Sequence, residues 1–242
     1  MTTRLRAVAL ALVAAVTGGI LVAAPASAQQ ADRPLRIGII GTGNIGGALA
    51  RHWVAAGHEV LMSSRHPEEL EPLAEELGTR ARAGTPAEAA EFGEVVLVSV
   101  PYAALPQIGE DNADALRGKI VLDTSNPVER RDGEMARDAQ QKGAGVASAE
   151  LLPGTRLVRA FNCIPAATLR NDANREPERI AIPIGGDDPE AIAVAERLVR
   201  DAGFDPVMIG SLEDSRSFDL GGPLASGAWT AVEMRERAAA LQ

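Results

Sequence analysis

Two short stretches of the chain carry residue types that can do chemistry together. The first is Gly41-Thr42-Gly43-Asn44-Ile45-Gly46, which has the spacing G-x-G-x-x-G. Between a strand and a helix this pattern cradles a pyrophosphate. Gly41 makes the tight turn, Gly43 lets the backbone approach the anion, and Gly46 lets helix and strand pack closely. The amides of Asn44 and Ile45 at the helix start complete the cradle. The second stretch, Ser63-Ser64-Arg65-His66, lies about 20 residues on, where such sites choose between two cofactors. An NAD site places Asp or Glu there, and a carboxylate would repel a 2′-phosphate. Hydroxyls and a guanidinium bind that phosphate instead. The pair therefore reads as an NADP(H) site, with Thr42, Ser64 and Arg65 as the phosphate contacts.

Groups that could pass a proton to a carbonyl substrate are scarce. Tyr102 is the only tyrosine and no lysine follows it four residues on; Lys119 and Lys142 are the only lysines. His52, His58 and His66 cluster in the nucleotide half, and no His, Cys or Asp cluster has metal-ligand spacing. No catalytic acid or base is assigned. The apparent strand ends carry small, apolar or neutral polar residues instead: Val100-Pro101-Tyr102, Thr124-Ser125-Asn126-Pro127 and Phe161-Asn162-Cys163-Ile164-Pro165. Such a lining suits a flat ring that accepts hydride face to face, a flavin or deazaflavin, because solvent can supply the later proton. Cys163 reads first as a small side chain at a strand end.

The elements that must position these residues follow from periodicity. Strands are expected at Leu35–Ile40, Glu59–Ser63, Val95–Val100, Ile120–Asp123, Arg156–Ala160, Ile180–Ile184 and Asp205–Ile209. Helices are expected at Ile45–Ala56, Pro67–Leu77, from Thr85-Pro86, within Ala104–Leu116, as a turn at Ala166–Leu169, at Pro189–Ala202 and at Ala225–Leu241. Asn126–Glu134 has loop composition. This alternation predicts an α/β fold, a Rossmann-like doubly wound and mostly parallel sheet with helices on both faces and a small C-terminal α/β extension. The expected division is a nucleotide domain over 35–150 and a C-terminal part, 151–242, that completes the acceptor site.

The chain of 242 residues opens with Arg4 and Arg6, a charge-free apolar run to Ala24, Pro25 and the small-x-small sequence Ala26-Ser27-Ala28. This reads as a cleaved signal peptide over 1–28 and predicts an exported protein; the alternative is a membrane tether by an uncleaved segment. The net charge is −9, and the leader contributes only positive charge, so the remainder is more acidic still. Such a surface repels nucleic acid and anionic membranes. Cys163 is the only cysteine, which excludes an internal disulfide.

The stretches GTGNIGGALARHWVAAGHEVLMSSR (41–65), FNCIPAATL (161–169), IPIGGDDPEAIAVAERLV (182–199) and GFDPVMIGSLEDSR (203–216) together resemble the F420-dependent NADP oxidoreductase family. That family moves hydride between NADP(H) and the deazaflavin coenzyme F420. The resemblance implies that Val100 and Pro101 line the nicotinamide and that Asn162, Cys163, Ile164 and Pro165 flank the acceptor. It also implies a homodimer, with Ser217–Leu241 as the stretch to search for an interface. Cys163 departs from a usual threonine, and Tyr102 from a tryptophan of the archaeal type. Ferric reductases of eukaryotic membranes carry a related nucleotide domain that reduces flavin. Two other readings stay open. One is reduction of a small imine, as in pyrroline-5-carboxylate reductase; the other is a non-catalytic NADP(H)-binding module.

Overall fold

The computed structural model describes residues 33–225 and 227–241. The expected leader, 1–28, lies outside the described residues. Residues Pro34–Gln242 form one unit around one sheet of eight strands in the order β3-β2-β1-β4-β5-β6-β7-β8. The strands are β1 (Arg36–Ile40), β2 (Glu59–Ser63), β3 (Ala81–Gly84), β4 (Val95–Val98), β5 (Ile120–Asp123), β6 (Arg156–Arg159), β7 (Ala181–Gly186) and β8 (Asp205–Gly210). Every pairing is parallel except β6 with β7. The first six strands thus have the 3-2-1-4-5-6 order of a Rossmann-like doubly wound sheet. β7 and β8 extend the same sheet in the reverse direction.

Side chains alternate between two cores, one on each face. Ile37, Ile39, Val95, Leu97, Ile120 and Leu122 face one layer. There they meet Leu49 and Trp53 of α1 (Asn44–Ala55) and Leu198 of a later helix, Pro189–Asp201. Ile40, Val96, Val98 and Val121 face the other layer, with Ala89 and Ala90 of the helix Pro86–Phe92. That helix lies so close to β1 that a Cβ on Gly38 would sit 2.0 Å from the Ala89 carbonyl oxygen. Burial on both faces explains why strands such as Val95–Val98 read as unbroken apolar runs.

Local signals account for most boundaries. Thr85 and Glu88 form a capping box. The Asp188 side chain accepts from the amides of Glu190 and Ala191 and holds Arg156 with two contacts, at 2.7 and 2.6 Å. Pro183 is tolerated inside β7 because pairing with β6 is confined to Gly185 and Gly186.

Three expectations need correction, and two further elements were not expected. Pro67–Leu77 is a 3-10 turn (Pro67–Leu70) followed by a helix, Glu71–Leu77. Asn126–Glu134 is not all loop, since Glu129–Asp132 makes one helical turn and Glu134 opens the helix Glu134–Lys142. A further helix, Ala144–Leu151, and strand β3 carry no clear periodic signal. The closing helix covers only Ala231–Ala239, because the Thr230–Glu233 capping box fixes a later start.

His58 ties the two ends of this framework together. It is buried, its Nδ1 accepts from the Leu35 amide at 3.0 Å, and its Nε2 lies 2.9 Å from Asp201 Oδ2. Burial pushes the imidazole below its ordinary range although Asp201 pulls the other way. A depressed imidazole contributes stability that is present above its unfolded pKa of about 6.5 and is lost as pH falls toward the folded value. We predict that Tm falls between about pH 7.5 and pH 5 and that His58→Asn removes part of this fall. Asn keeps an acceptor for Leu35. A Tm gap between the two proteins that stays constant with pH would contradict this role.

Candidate cofactor and acceptor site

The strand register sets out the site. Ile40, Val98, Asp123 and Arg159 pair in one row across β1, β4, β5 and β6. The segments after them, 41–46, 99–102, 124–127 and 160–165, therefore emerge side by side at the carboxyl edge of the sheet, where open α/β sheets bind ligands. Ser63 pairs with Ile40 on the other side, so Ser64-Arg65 emerges one strand beyond the glycine loop. At the ordinary strand spacing the line from β1 to β6 spans roughly 14 Å.

Each glycine has a separate physical reason. Gly41 has φ +96°, and a Cβ there would sit 2.4 Å from the Ser99 carbonyl oxygen. A Cβ on Gly46 would sit 2.4 Å from the Gly41 oxygen, so its absence lets α1 seat against the loop. Around Gly43 nothing lies within 4 Å of an added Cβ, which leaves the backbone open to a ligand. No side chain caps the N-terminus of α1 and no acid occupies its first turn. The Thr42 hydroxyl is buried without a partner. These features fit a bound pyrophosphate.

Beside the loop, the Ser63 hydroxyl donates to the Ile39 carbonyl at 2.7 Å and is consumed structurally. The Ser64 hydroxyl accepts from the His66 amide at 3.0 Å. Arg65 is exposed, and among the described residues it has no ion-pair partner, on a chain rich in carboxylates. His66 lies 3.5 Å from Glu68. The Nε2 atom of His52 lies 2.7 Å from the Leu169 carbonyl, joining α1 to the helix Ala166–Asn171.

At the other end, Val100 is half-buried and Pro101 exposed, whereas Tyr102 is buried. Burial pushes the Tyr102 phenol up to about 12, and its hydroxyl has no hydrogen-bond partner among the described residues. Cys163 is half-buried against a small C-terminal cluster that includes Phe218 and Met234. Burial pushes its thiol up to about 12 as well. Both groups stay protonated at neutral pH. Asn162 and Ile164 are buried, and Pro165 is exposed. The Asn126 amide donates to the Asn162 carbonyl at 2.6 Å, joining the ends of β5 and β6.

Beneath these segments lies a group that sequence reasoning did not single out. Arg159 is fully buried. Its Nη1 donates to Asp123 Oδ2 at 2.8 Å and to the Ser125 carbonyl at 2.7 Å, and its Nη2 donates to Asp219 Oδ1 at 2.8 Å. Burial opposes the charge, but Asp123 and Asp219 outweigh it and hold the guanidinium above its ordinary range. Two residues on, Phe161 has φ +61°. That conformation costs a bulky L-residue of order 1–3 kcal/mol. The Phe161 ring meets Trp53 of α1 edge-on at 6.2 Å, so the strained turn is braced by the nucleotide half. The available signal was an arginine closing a central strand, RLVR, where an apolar residue is the rule.

Comparison with known proteins agrees with this geometry. Residues 36–127 match the family described as NADP oxidoreductase coenzyme F420-dependent. Metalloreductase STEAP3 of Rattus norvegicus is 33% identical over 190 residues, covering 76% of this chain; the chain spans only 36% of that protein. F420-dependent NADP reductase of Methanothermobacter marburgensis is 29% identical over 204 residues, covering 78% of this chain and 90% of that one. Among solved structures, hypothetical protein SMa0349 from Sinorhizobium meliloti superposes with a TM-score of 0.73 at 29% identity, covering 84% of this chain and 98% of that one. The nucleotide part of the chain, residues 36–127, thus matches a family of NADP-dependent oxidoreductases, and the longer similarities run to F420-dependent NADP reductases.

Proposed function

We propose that the protein transfers hydride between NADP(H) and a flat ring acceptor, coenzyme F420 or a flavin. The observation that carries this reading is the chemistry of the acceptor end. The two side chains there that could act as acids, Tyr102 and Cys163, both have pKa values pushed up to about 12. A substrate that needs a proton delivered with the hydride is poorly served by such groups, whereas a ring that takes hydride first needs mainly stacking and orientation.

In this reading, Gly41 to Gly46 hold the pyrophosphate with backbone amides, and Thr42, Ser64 and Arg65 bind the 2′-phosphate. Val100 and Pro101 back one side of the nicotinamide, while Asn162, Cys163, Ile164 and Pro165 form the wall against the acceptor. NADPH supplies the hydride when bound. The apolar and neutral lining excludes water from the transfer path and favours face-to-face contact. If the leader is cleaved, the reaction runs outside the cytoplasm on NADP(H) supplied there. Among the described residues no helix is long and apolar enough to cross a membrane. A homodimer through Ser217–Leu241 completes the proposal.

The test is oxidation of NADPH in the presence of F420, FMN, FAD or a simple quinone, with a cyclic imine as a further arm. Turnover with a deazaflavin or flavin is expected; turnover with the imine alone would overturn the choice of acceptor. For the cofactor, Arg65→Ala is predicted to weaken NADPH binding by roughly 10- to 100-fold, the range for one charge-assisted contact, and to leave NADH binding nearly unchanged. Equal losses for both cofactors, measured by titration, would contradict the assignment of Arg65 to the 2′-phosphate.

A further inference from the structure

The segment that faces the acceptor is held from below by residues far along the chain. Asp219 follows the 3-10 turn Asp214–Phe218. Its Oδ1 accepts from buried Arg159, and its Oδ2 accepts from the Ala144 amide at 3.0 Å. Its neighbour Phe218 is buried, and the Phe218 carbonyl accepts from the Asn162 side-chain amide at 3.1 Å. A carbonyl can only accept, so this contact fixes which end of the Asn162 amide points where. Asn162 Oδ1 is buried without any partner, so the side chain is oriented by that one bond. Residues 218 and 219 thus grip both Arg159, at the end of β6, and Asn162, three residues on. Between the two gripped residues stands Phe161 in its left-handed conformation.

Stability alone gives a weak reason for this arrangement. A fully buried ion group is often matched or exceeded in stability by apolar residues of similar volume. What a buried ion group does supply is a fixed position, because its partners must keep their geometry or leave a charge unpaired. We propose that Asp219, acting through Arg159 and together with the Phe218 carbonyl, is a positioning residue that sets the Phe161–Pro165 wall of the acceptor site. The nucleotide half has its own supports, the Gly41–Gly46 packing and the Ser63–Ile39 bond. The device therefore governs the acceptor and leaves NADPH binding alone. This inference rests on the placement of the acceptor at residues 161–165.

The test uses the full chain carrying Asp219→Asn, an isosteric change that removes the charge. With whichever acceptor the wild type turns over, its KM is expected to rise about tenfold or more, while the dissociation constant of NADPH stays within about twofold. Amide hydrogen exchange provides a readout that needs no turnover: peptides covering 160–165 should exchange faster, while those covering 41–50 should not. A second variant, Asn162→Leu, removes the grip of Phe218 and leaves the ion group intact. It should shift acceptor KM and exchange at 160–165 in the same direction. The proposal is overturned if either folded variant has wild-type acceptor KM and wild-type exchange at 160–165. It is equally overturned if NADPH affinity falls in step with acceptor affinity, or if Asp219→Asn fails to fold and Asn162→Leu behaves like the wild type. If no acceptor turns over even in the wild type, the functional reading fails, and exchange at 160–165 still decides the positioning claim.

Discussion

The structure depends on one close approach. Gly46 presents no Cβ to the Gly41 carbonyl, where one would come within 2.4 Å. This lets α1 begin directly over the end of β1 with its first amides uncapped. An anion site made of backbone amides costs no side-chain charge, which matters on a chain of net charge −9. The same contact fixes the height of α1 above the sheet. From that height Trp53 reaches Phe161, and His52 reaches the Leu169 carbonyl. The nucleotide half thereby braces the segment proposed to face the acceptor, and Arg159 and Asp219 hold the same segment through their own contacts.

Parallel register turns this local geometry into a working line. The row from Ile40 to Arg159 carries four segments to one edge. The polar edge nearest Ser64-Arg65 offers hydroxyls and a guanidinium without an ion pair, and the far edge offers side chains that hold their protons. Between these ends the carboxylates Asp123 and Asp219 are neutralised by Arg159. A hydride path needs such an environment, because a stray base or a bound water beside it would divert the reaction.

Much of this was legible in the sequence, for physical reasons. Glu59–Ser63 and Ile120–Asp123 were delimited correctly because burial on both faces forces a short apolar run between polar breaks. The helices starting at Pro86 and Pro189 were legible because Thr85 and Asp188 are local caps. The glycine loop was legible because each glycine answers a steric demand. Strand β3 was not, since ARAG has no strand pattern and is extended only through its pairing with β2. The helices from Glu134 to Leu151 were missed because the preceding ERRDG reads as a loop while its single turn leads straight into them. The buried ion group was invisible for another reason: nothing local tells Arg159 that its partners are 36 and 60 residues away.

The claim most open to direct test is that one extended ligand lies along this line, with its 2′-phosphate at Ser64-Arg65 and its reactive ring at the end of β4, beside Val100-Pro101. Amide chemical-shift mapping with two ligands separates the ends. Adenosine 2′,5′-bisphosphate should move the amides of residues 41–46 and 64–65 only. NADP should move those and also residues 99–101. Identical perturbation patterns for the two ligands, or shifts from NADP that leave residues 64 and 65 untouched, would contradict the account.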